Sequence, residues 1–296
     1  MSEIGLLDVG GTSIKYGVWK NEELIDKGTV DTPKTLEEYY KVLTQIIDEM
    51  KKNHQIIGVG MSTPGSVDKE TGIIGGASAV PYIHDFPIKI ELEKQFDLPV
   101  SFENDANCAA MAEVRFGAGK DLKNVLFIII GTGIGGSVIV DGKVQHGKHL
   151  FGGEFGFMLM DDKNSFSSLG TAVNMARRYT KRKNDGMEYT GKQVFELADK
   201  GDSLALEESE IFYYNLAKGI YNLQYAFDPE KIILGGGVSQ AEFLISNVNK
   251  RLQAILDQVK IAPFMPEIVA CEFKNDANLI GAAADFISEH SEEVLV

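Results

Sequence analysis

Apolar runs and alternations along the chain predict strands near 4–9, 14–19, 24–30, 56–61, 72–75 and 99–102. Between the third and fourth of these, apolar residues spaced for one helical face run from Leu36 to Lys52, with Thr35 placed as a cap behind Pro33. A second helix is predicted over Asn107–Phe116. After the small, polar stretch Gly117-Ala118-Gly119-Lys120, the expected domain boundary, the pattern begins again. A strand over Asn124–Ile130 leads into strand-rich sequence to about 160, then helices over 166–183, 191–200 and 203–227. Strand, helix, strand and a closing helix from Ala277 complete the chain. Strands with apolar cores alternating with helices predict an α/β protein whose sheets are flanked by helices.

Composition narrows the class without choosing a function. With 296 residues the chain is long enough for two modest domains. A net charge of −14 argues against a surface for nucleic acid or an anionic membrane, and it repels a polyanionic ligand at long range. Backbone donors and a cation must then supply any attraction for phosphate. Cys108 and Cys271 are too few for a disulfide scaffold and agree with a reducing cytoplasm. No signal peptide and no stretch of about 18 apolar residues is visible, so a cytoplasmic protein with no membrane partner is expected.

Three glycine turns at strand ends carry the chemical signal. The first is Asp8-Val9-Gly10-Gly11-Thr12-Ser13-Ile14-Lys15, a strand–turn–strand hairpin whose bare backbone can approach an oxyanion. An aspartate at such a strand end can hold a hydrated Mg²⁺ beside the phosphates. The second, Gly131-Thr132-Gly133 and on to Gly136, lies between two apolar strands. The third, Gly235-Gly236-Gly237, ends a strand and would let a flat group such as adenosine lie against backbone. For each alone the alternative is an ordinary tight turn with no ligand. Together they favour a ligand. None is a Walker loop, and strand sequence follows Gly136 where a dinucleotide fingerprint requires a helix.

With Ser62-Thr63-Pro64-Gly65, Glu103-Asn104-Asp105-Ala106-Asn107, Gly152-Gly153-Glu154-Phe155-Gly156 and Asn275-Asp276-Ala277-Asn278-Leu279-Ile280-Gly281-Ala282-Ala283, the chain resembles the ROK group of the sugar kinase, actin and heat-shock ATPase superfamily. The resemblance covers essentially the whole chain. It implies two actin-like (ribonuclease H-like) α/β domains with an interdomain cleft. The expected division is 1–118, joined by a C-terminal helix over 277–296, and a nucleotide and dimerisation domain over 119–276. It implies phosphoryl transfer from ATP with Mg²⁺ to a sugar hydroxyl, in a homodimer. Asp8, Gly10, Gly11, Thr12, Lys15, Gly131, Thr132, Gly133, Gly235, Gly236 and Gly237 would hold ATP; Lys15 reads equally as a solvated strand-end lysine.

Phosphoryl transfer is mostly positioning and charge neutralisation, with one carboxylate to take the hydroxyl proton. Asp105 is the expected base, at a helix start whose dipole would keep it ionised. Gly65, Ser78, Asn104, Asp105 and Glu154 are the expected sugar contacts, the Asn104 amide donating to one hydroxyl and accepting from the next. Asn-Asp-Ala-Asn recurs at 275–278, where Asp276 reads as a helix cap and Asn278, a glycine in most relatives, needs no chemistry. His146 and His149 read as loop residues.

Most members of the group bind a structural zinc through a histidine and a cysteine cluster. Phe157 stands at the histidine position and no cysteine follows, so no zinc is expected. Phe157, Met158 and Met160 would fill the space with apolar packing. The same loss strips polar partners from the anomeric end of a sugar. The expected acceptor is therefore O6 of glucose, or of the non-reducing glucosyl unit of a β-glucoside. N-acetylmannosamine and fructose are the alternatives, and a non-catalytic sugar sensor is a weaker one. Tyr82 or Phe86 would serve either as an aglycone platform or as core. A repressor is disfavoured, because the hairpin starts at residue 4 and leaves no room for a DNA-binding domain.

Overall fold

A computed structural model describes residues 2–290. Contacts divide the chain into two compact units. The first comprises the residues up to Gly117, Gly147–Phe151 and those from Phe273; the second comprises Ala118–His146 and Gly152–Glu272.

The first unit opens with the antiparallel strands β1 (Glu3–Val9), β2 (Ser13–Lys20) and β3 (Glu23–Asp31). Helix α1 (Leu36–Asn53) follows, and the Thr35 side chain accepts from the Glu38 N–H at 3.3 Å, as the cap reading predicts. Then come β4 (Ile56–Thr63), the small hairpin β5 (Ser66–Asp68) and β6 (Ile73–Gly75), α2 (Ile88–Phe96), β7 (Val100–Asn104) and α3 (Asp105–Phe116). The five-stranded sheet runs β3-β2-β1-β4-β7, with β4 and β7 parallel to β1. Nearly every residue of β1 is buried, because both faces of this central strand are covered. On one face Leu7, Val9, Ile14 and Val18 pack with Tyr39, Leu43 and Ile47 of α1. Helix α2 lies outside the predicted elements; its buried Ile88, Leu92 and Phe96 carry the i, i+4 spacing that marks it.

The second unit repeats the plan. Strands β8 (Val125–Ile130), β9 (Ile134–Val140) and β10 (Lys143–Val144) form an antiparallel set. Helices α4 (Phe166–Leu169), α5 (Ala172–Lys183), α6 (Gly191–Asp199) and α7 (Ser203–Phe227) come next, then β11 (Lys231–Gly235), α8 (Glu242–Val259) and β12 (Ile268–Ala270). The sheet order β10-β9-β8-β11-β12, with β11 parallel to β8 and to β12, reproduces the first sheet strand for strand. The predicted helix over 166–183 is broken at Gly170-Thr171, where the Thr171 hydroxyl accepts from the Asn174 N–H and restarts the helix as α5.

The chain then returns to the first unit as α9 (Ala277–Glu289). Of the closing helix expected over 277–296, residues 291–296 lie outside the described residues. Leu279, Ala282, Ala283 and Phe286 close the second face of the first sheet with Ile4, Leu6, Trp19 and the α3 residues Cys108 and Ala112. The approach of α9 to α3 requires glycine at 281, where a Cβ would stand 1.8 Å from the Cys108 carbonyl oxygen. This seat fixes the positions of Asn278 and Asp285.

Candidate active site

Parallel pairing gathers the expected groups of the first unit at the carboxyl ends of its strands, the usual ligand side of such sheets. Asp8 lies opposite Ser62, and Thr63 lies opposite Asn104. Asp8 is buried, with 7% of the residue exposed. Its Oδ1 accepts from the Ser62 hydroxyl at 2.9 Å and from Asn278 Nδ2 at 3.0 Å. Lys15, the cross-strand neighbour of Asp8, brings its Nζ to 3.7 Å from Oδ2 and donates to the Asn275 carbonyl at 3.2 Å. The Gly10 N–H closes the hairpin onto the Ser13 carbonyl at 3.0 Å, while Gly11 and Thr12 are exposed. A Cβ on Gly11 would lie 2.5 Å from the Ala79 Cβ, so glycine there keeps the hairpin against the 76–79 stretch.

Asp105 begins α3 directly after Asn104, the N-cap. Solvent reaches its side chain, yet surrounding protein crowds the carboxyl. Burial raises its pKa above the ordinary aspartate value and the Asp8 charge adds to the rise, opposed by the Ala106 N–H and the Asn104 side chain. The helix dipole does not dominate here as expected. The shift runs upward because desolvation and a second carboxylate outweigh one helix end, and a base with a raised pKa accepts a proton more readily.

Asn104 has less capacity than the sequence suggested. Its Oδ1 accepts from the Ala106 and Asn107 N–H groups at 2.9 and 3.4 Å, and Nδ2 donates to the Gly65 carbonyl at 2.9 Å. With the acceptor side committed to the cap, one amide hydrogen remains for a ligand. Gly65 has a φ of +104°, and a Cβ on it would sit 2.8 Å from His84 Cε1. His84 Nε2 lies 2.6 Å from the Ser78 hydroxyl, which also accepts from the Val80 N–H at 3.1 Å. Gly65, Ser78, Asn104 and His84 therefore form one contiguous group beside Asp105.

Behind it lies a charged cluster that the sequence did not disclose. Lys69 Nζ stands 3.3 Å from Glu103 Oε2 and 2.8 Å from Glu289 Oε1, and it donates to Asp285. Glu103 Oε1 in turn accepts from the Asn104 N–H at 2.8 Å and from Asn107 Nδ2 at 2.9 Å. Burial pushes the Asp285 carboxyl up to about 7, against the pull of Lys69.

The remaining expected residues belong to the second unit. The Gly131 N–H donates to the Gly133 carbonyl at 2.9 Å, leaving Gly131, Thr132 and Gly133 at an exposed turn between β8 and β9. Glu154 is seated beside it: Cβ atoms on Gly153 and Gly156 would lie 2.4 Å from the Gly136 carbonyl and 2.1 Å from the Ile134 carbonyl. The three glycines after β11 differ in their reasons. Gly235 faces the Phe127 ring, and Gly236 has a φ of +88° with the Ile130 carbonyl oxygen 2.2 Å from where a Cβ would stand. A Cβ on Gly237 would meet nothing within 4 Å, and this residue borders a cavity of about 530 Å³ lined by Ala172, Val173, Lys192, Phe195, Val238 and Phe243. Its side walls come from α5, α6 and α8, far away in sequence, and no local motif could have revealed them. Gly237→Val should leave the melting temperature nearly unchanged, since nothing lies within 4 Å of the new Cβ. Gly236→Ala should instead destabilise the protein by about 1–3 kcal/mol in a denaturant titration.

Two further expectations fail on geometry. Asp276 does not cap α9: a short 3₁₀ turn over Lys274–Asp276 holds it at helical dihedrals, and its carboxylate pairs with Lys27 at 3.0 Å. Phe157 does not fill the zinc space, for it is 72% exposed at the end of a turn in which Phe155 takes the inward place. Met160 is buried and Met158 packs against the core, as expected.

The ROK family profile matches residues 4–289, and the chain belongs to that family. It is 32% identical to the β-glucoside kinase of Listeria monocytogenes, over 98% of this chain and 99% of the other. A ROK family protein from Streptococcus pneumoniae, solved in complex with sucrose, superposes with a TM-score of 0.90 at 37% identity, covering 98% of this chain and 99% of that one. A ROK family glucokinase from Streptomyces griseus, solved with glucose and AMPPNP, gives a TM-score of 0.73 at 27% identity over 95% and 97% of the two chains. The fold is thus that of the actin-like sugar kinases.

Proposed function

We propose that the protein is an ATP-dependent sugar kinase acting on O6 of glucose, or of the non-reducing glucosyl unit of a β-glucoside. Sugar phosphorylation rests on family membership and on relatives that are β-glucoside kinases and glucokinases. The observation that carries the mechanism is Asp105, a carboxylate of raised pKa beside the group of Asn104, Gly65 and Ser78. As O6 attacks the γ-phosphorus, Asp105 takes the hydroxyl proton, and the bond from phosphorus to the β-phosphate oxygen breaks to release ADP. Asn104 donates its remaining hydrogen to a sugar hydroxyl and Glu154 accepts from others.

Phosphate is met by amides further round the hairpin, at Gly11 and Thr12, and by Lys15. Within the second unit, Gly131, Thr132, Gly133, Gly235, Gly236 and Gly237 are the candidate nucleotide contacts, and the cavity at Gly237 is the candidate place for the base. The Asp8 carboxylate, one oxygen saturated and the other beside Lys15, suits a hydrated Mg²⁺ held with phosphates rather than by a protein cage. Bound there, Mg²⁺ would neutralise phosphate charge. The exposed Ile261, Phe264 and Met265 of the second unit support a homodimer. Among the described residues no helix is long and apolar enough to cross a membrane.

Phe157, where a polar anomeric partner would stand, supports acceptance of a group on C1. The Streptococcus pneumoniae relative was solved with sucrose, whose glucosyl unit has no free anomeric hydroxyl. A coupled assay of ADP release should therefore show kcat/KM for cellobiose or gentiobiose at least equal to that for glucose. Turnover of N-acetylmannosamine or fructose alone would refute the acceptor assignment, and sugar-independent hydrolysis would refute the kinase.

A further inference from the structure

The sequence offers no reason for Asn278 to take part in chemistry, yet its amide reaches the phosphate hairpin. Asp8 Oδ1 holds two donors, Ser62 Oγ at 2.9 Å and Asn278 Nδ2 at 3.0 Å. A carboxylate oxygen has two lone-pair directions, so Oδ1 is filled. Ser62 reaches it from the neighbouring strand and Asn278 from α9, so the two donors fix the carboxylate's rotation from different elements. Oδ2 is left on the side of Lys15, 3.7 Å away. The same segment also holds Lys15, whose Nζ donates to the Asn275 carbonyl at 3.2 Å. Residues 275–278 thus grip both charged groups of the hairpin, although some 260 residues separate them in sequence.

We infer that Asn278 is a positioning residue that orients Asp8 so that Oδ2 alone is presented to the Mg²⁺–phosphate group. This rests on the kinase reading of the site. Asn278 touches neither substrate nor metal. It acts by holding a carboxylate that would otherwise rotate or pair more closely with Lys15. Loss of such an outer partner commonly weakens metal affinity about 10–100-fold.

The test uses Asn278→Leu, which has the same branching at Cγ and cannot donate, with Asn278→Gly as a second variant in case the first does not fold. Calorimetry with AMPPNP in the presence of Mg²⁺ and again in EDTA separates metal-dependent from metal-independent binding. The expected result is about tenfold weaker binding of Mg·AMPPNP, with metal-free AMPPNP and the KM for sugar unchanged. Ser62→Ala should move the same quantity in the same direction. Unchanged Mg·AMPPNP affinity in the variants, or an equal loss with and without Mg²⁺, overturns the inference while leaving the kinase reading intact. A wild-type protein that bound no Mg·AMPPNP would overturn both.

Discussion

Asp105→Asn is expected to lower kcat by about 10³ while leaving nucleotide affinity and melting temperature essentially intact. The amide preserves shape and can still meet a sugar hydroxyl, but it cannot receive the proton. Stability should hold for a separate reason. A carboxyl whose folded pKa lies above its unfolded value contributes stability at low pH and loses it as pH rises through the folded value. Asp105 has such a raised pKa, so at neutral pH its charge is a cost to folding that the amide removes. An inactive variant at least as stable as the parent therefore separates a catalytic role from a structural one. In the parent, kcat/KM should fall as acid protonates this group, with the acid limb above the ordinary aspartate range of about 3.9. Replacing Asp8 with Asn should lower that limb, because the Asp8 charge helps to raise the Asp105 pKa. Stopped turnover accompanied by a fallen melting temperature, or full turnover in Asp105→Asn, would remove this carboxylate from the mechanism.

What the chain disclosed in advance follows the range of the forces involved. Strands β1, β2 and β8, with fully or alternately apolar sequence beside glycine turns, could be read locally, and so could the Thr35 cap of α1. The identity of Asp105 as a helix-start carboxylate could also be read, since the motif around it is contiguous. Its pKa direction could not, because it depends on packing and on Asp8, a residue 97 positions earlier. The repeated Asn-Asp-Ala-Asn shows the limit clearly. At 104–107 the first asparagine caps α3; at 275–278 a 3₁₀ turn changes the dihedrals, and the last asparagine reaches Asp8 instead. Identical tetrapeptides thus do different work, since what surrounds each is assembled from distant chain. Phe157 departs from expectation for a similar reason: an empty ligand position does not require a side chain to turn inward when the neighbouring Phe155 already fills the core.

The cluster around Lys69 gives the second large effect. Glu103 and Asp285 are buried, with Asp285 1% exposed; Lys69 pairs with both and with the more exposed Glu289. Burial opposes the charge on Lys69, but Asp285, Glu103 and Glu289 together hold its pKa above the ordinary lysine value. Asp285 Oδ2 is buried without a hydrogen-bond partner, so Lys69 compensates this carboxyl through its other oxygen; Lys89, 3.9 Å from Glu289, adds a second ammonium at the cluster's edge. Lys69→Met removes the cation and leaves the acids, and such a break typically costs about 3–5 kcal/mol. Denaturant titration near about pH 8 should show that loss, with part recovered near about pH 5.5 as the carboxyls protonate. The sign is set by Asp285, whose pKa is raised from 3.8 to about 7: the folded state binds the extra proton between those values, so stability falls as pH rises through them. Without Lys69 the folded pKa climbs further and the sensitive window moves upward. Lys69→Met combined with Asp285→Leu should restore much of the lost stability, because a buried acid no longer lacks its partner. Turnover should then tell whether the cluster also serves the site. Glu103 accepts from the Asn104 N–H and so leads into the cap that places Asp105, which predicts a lower kcat in Lys69→Met even under conditions where the variant is fully folded. A folded single variant with unchanged kcat would confine the cluster to stability.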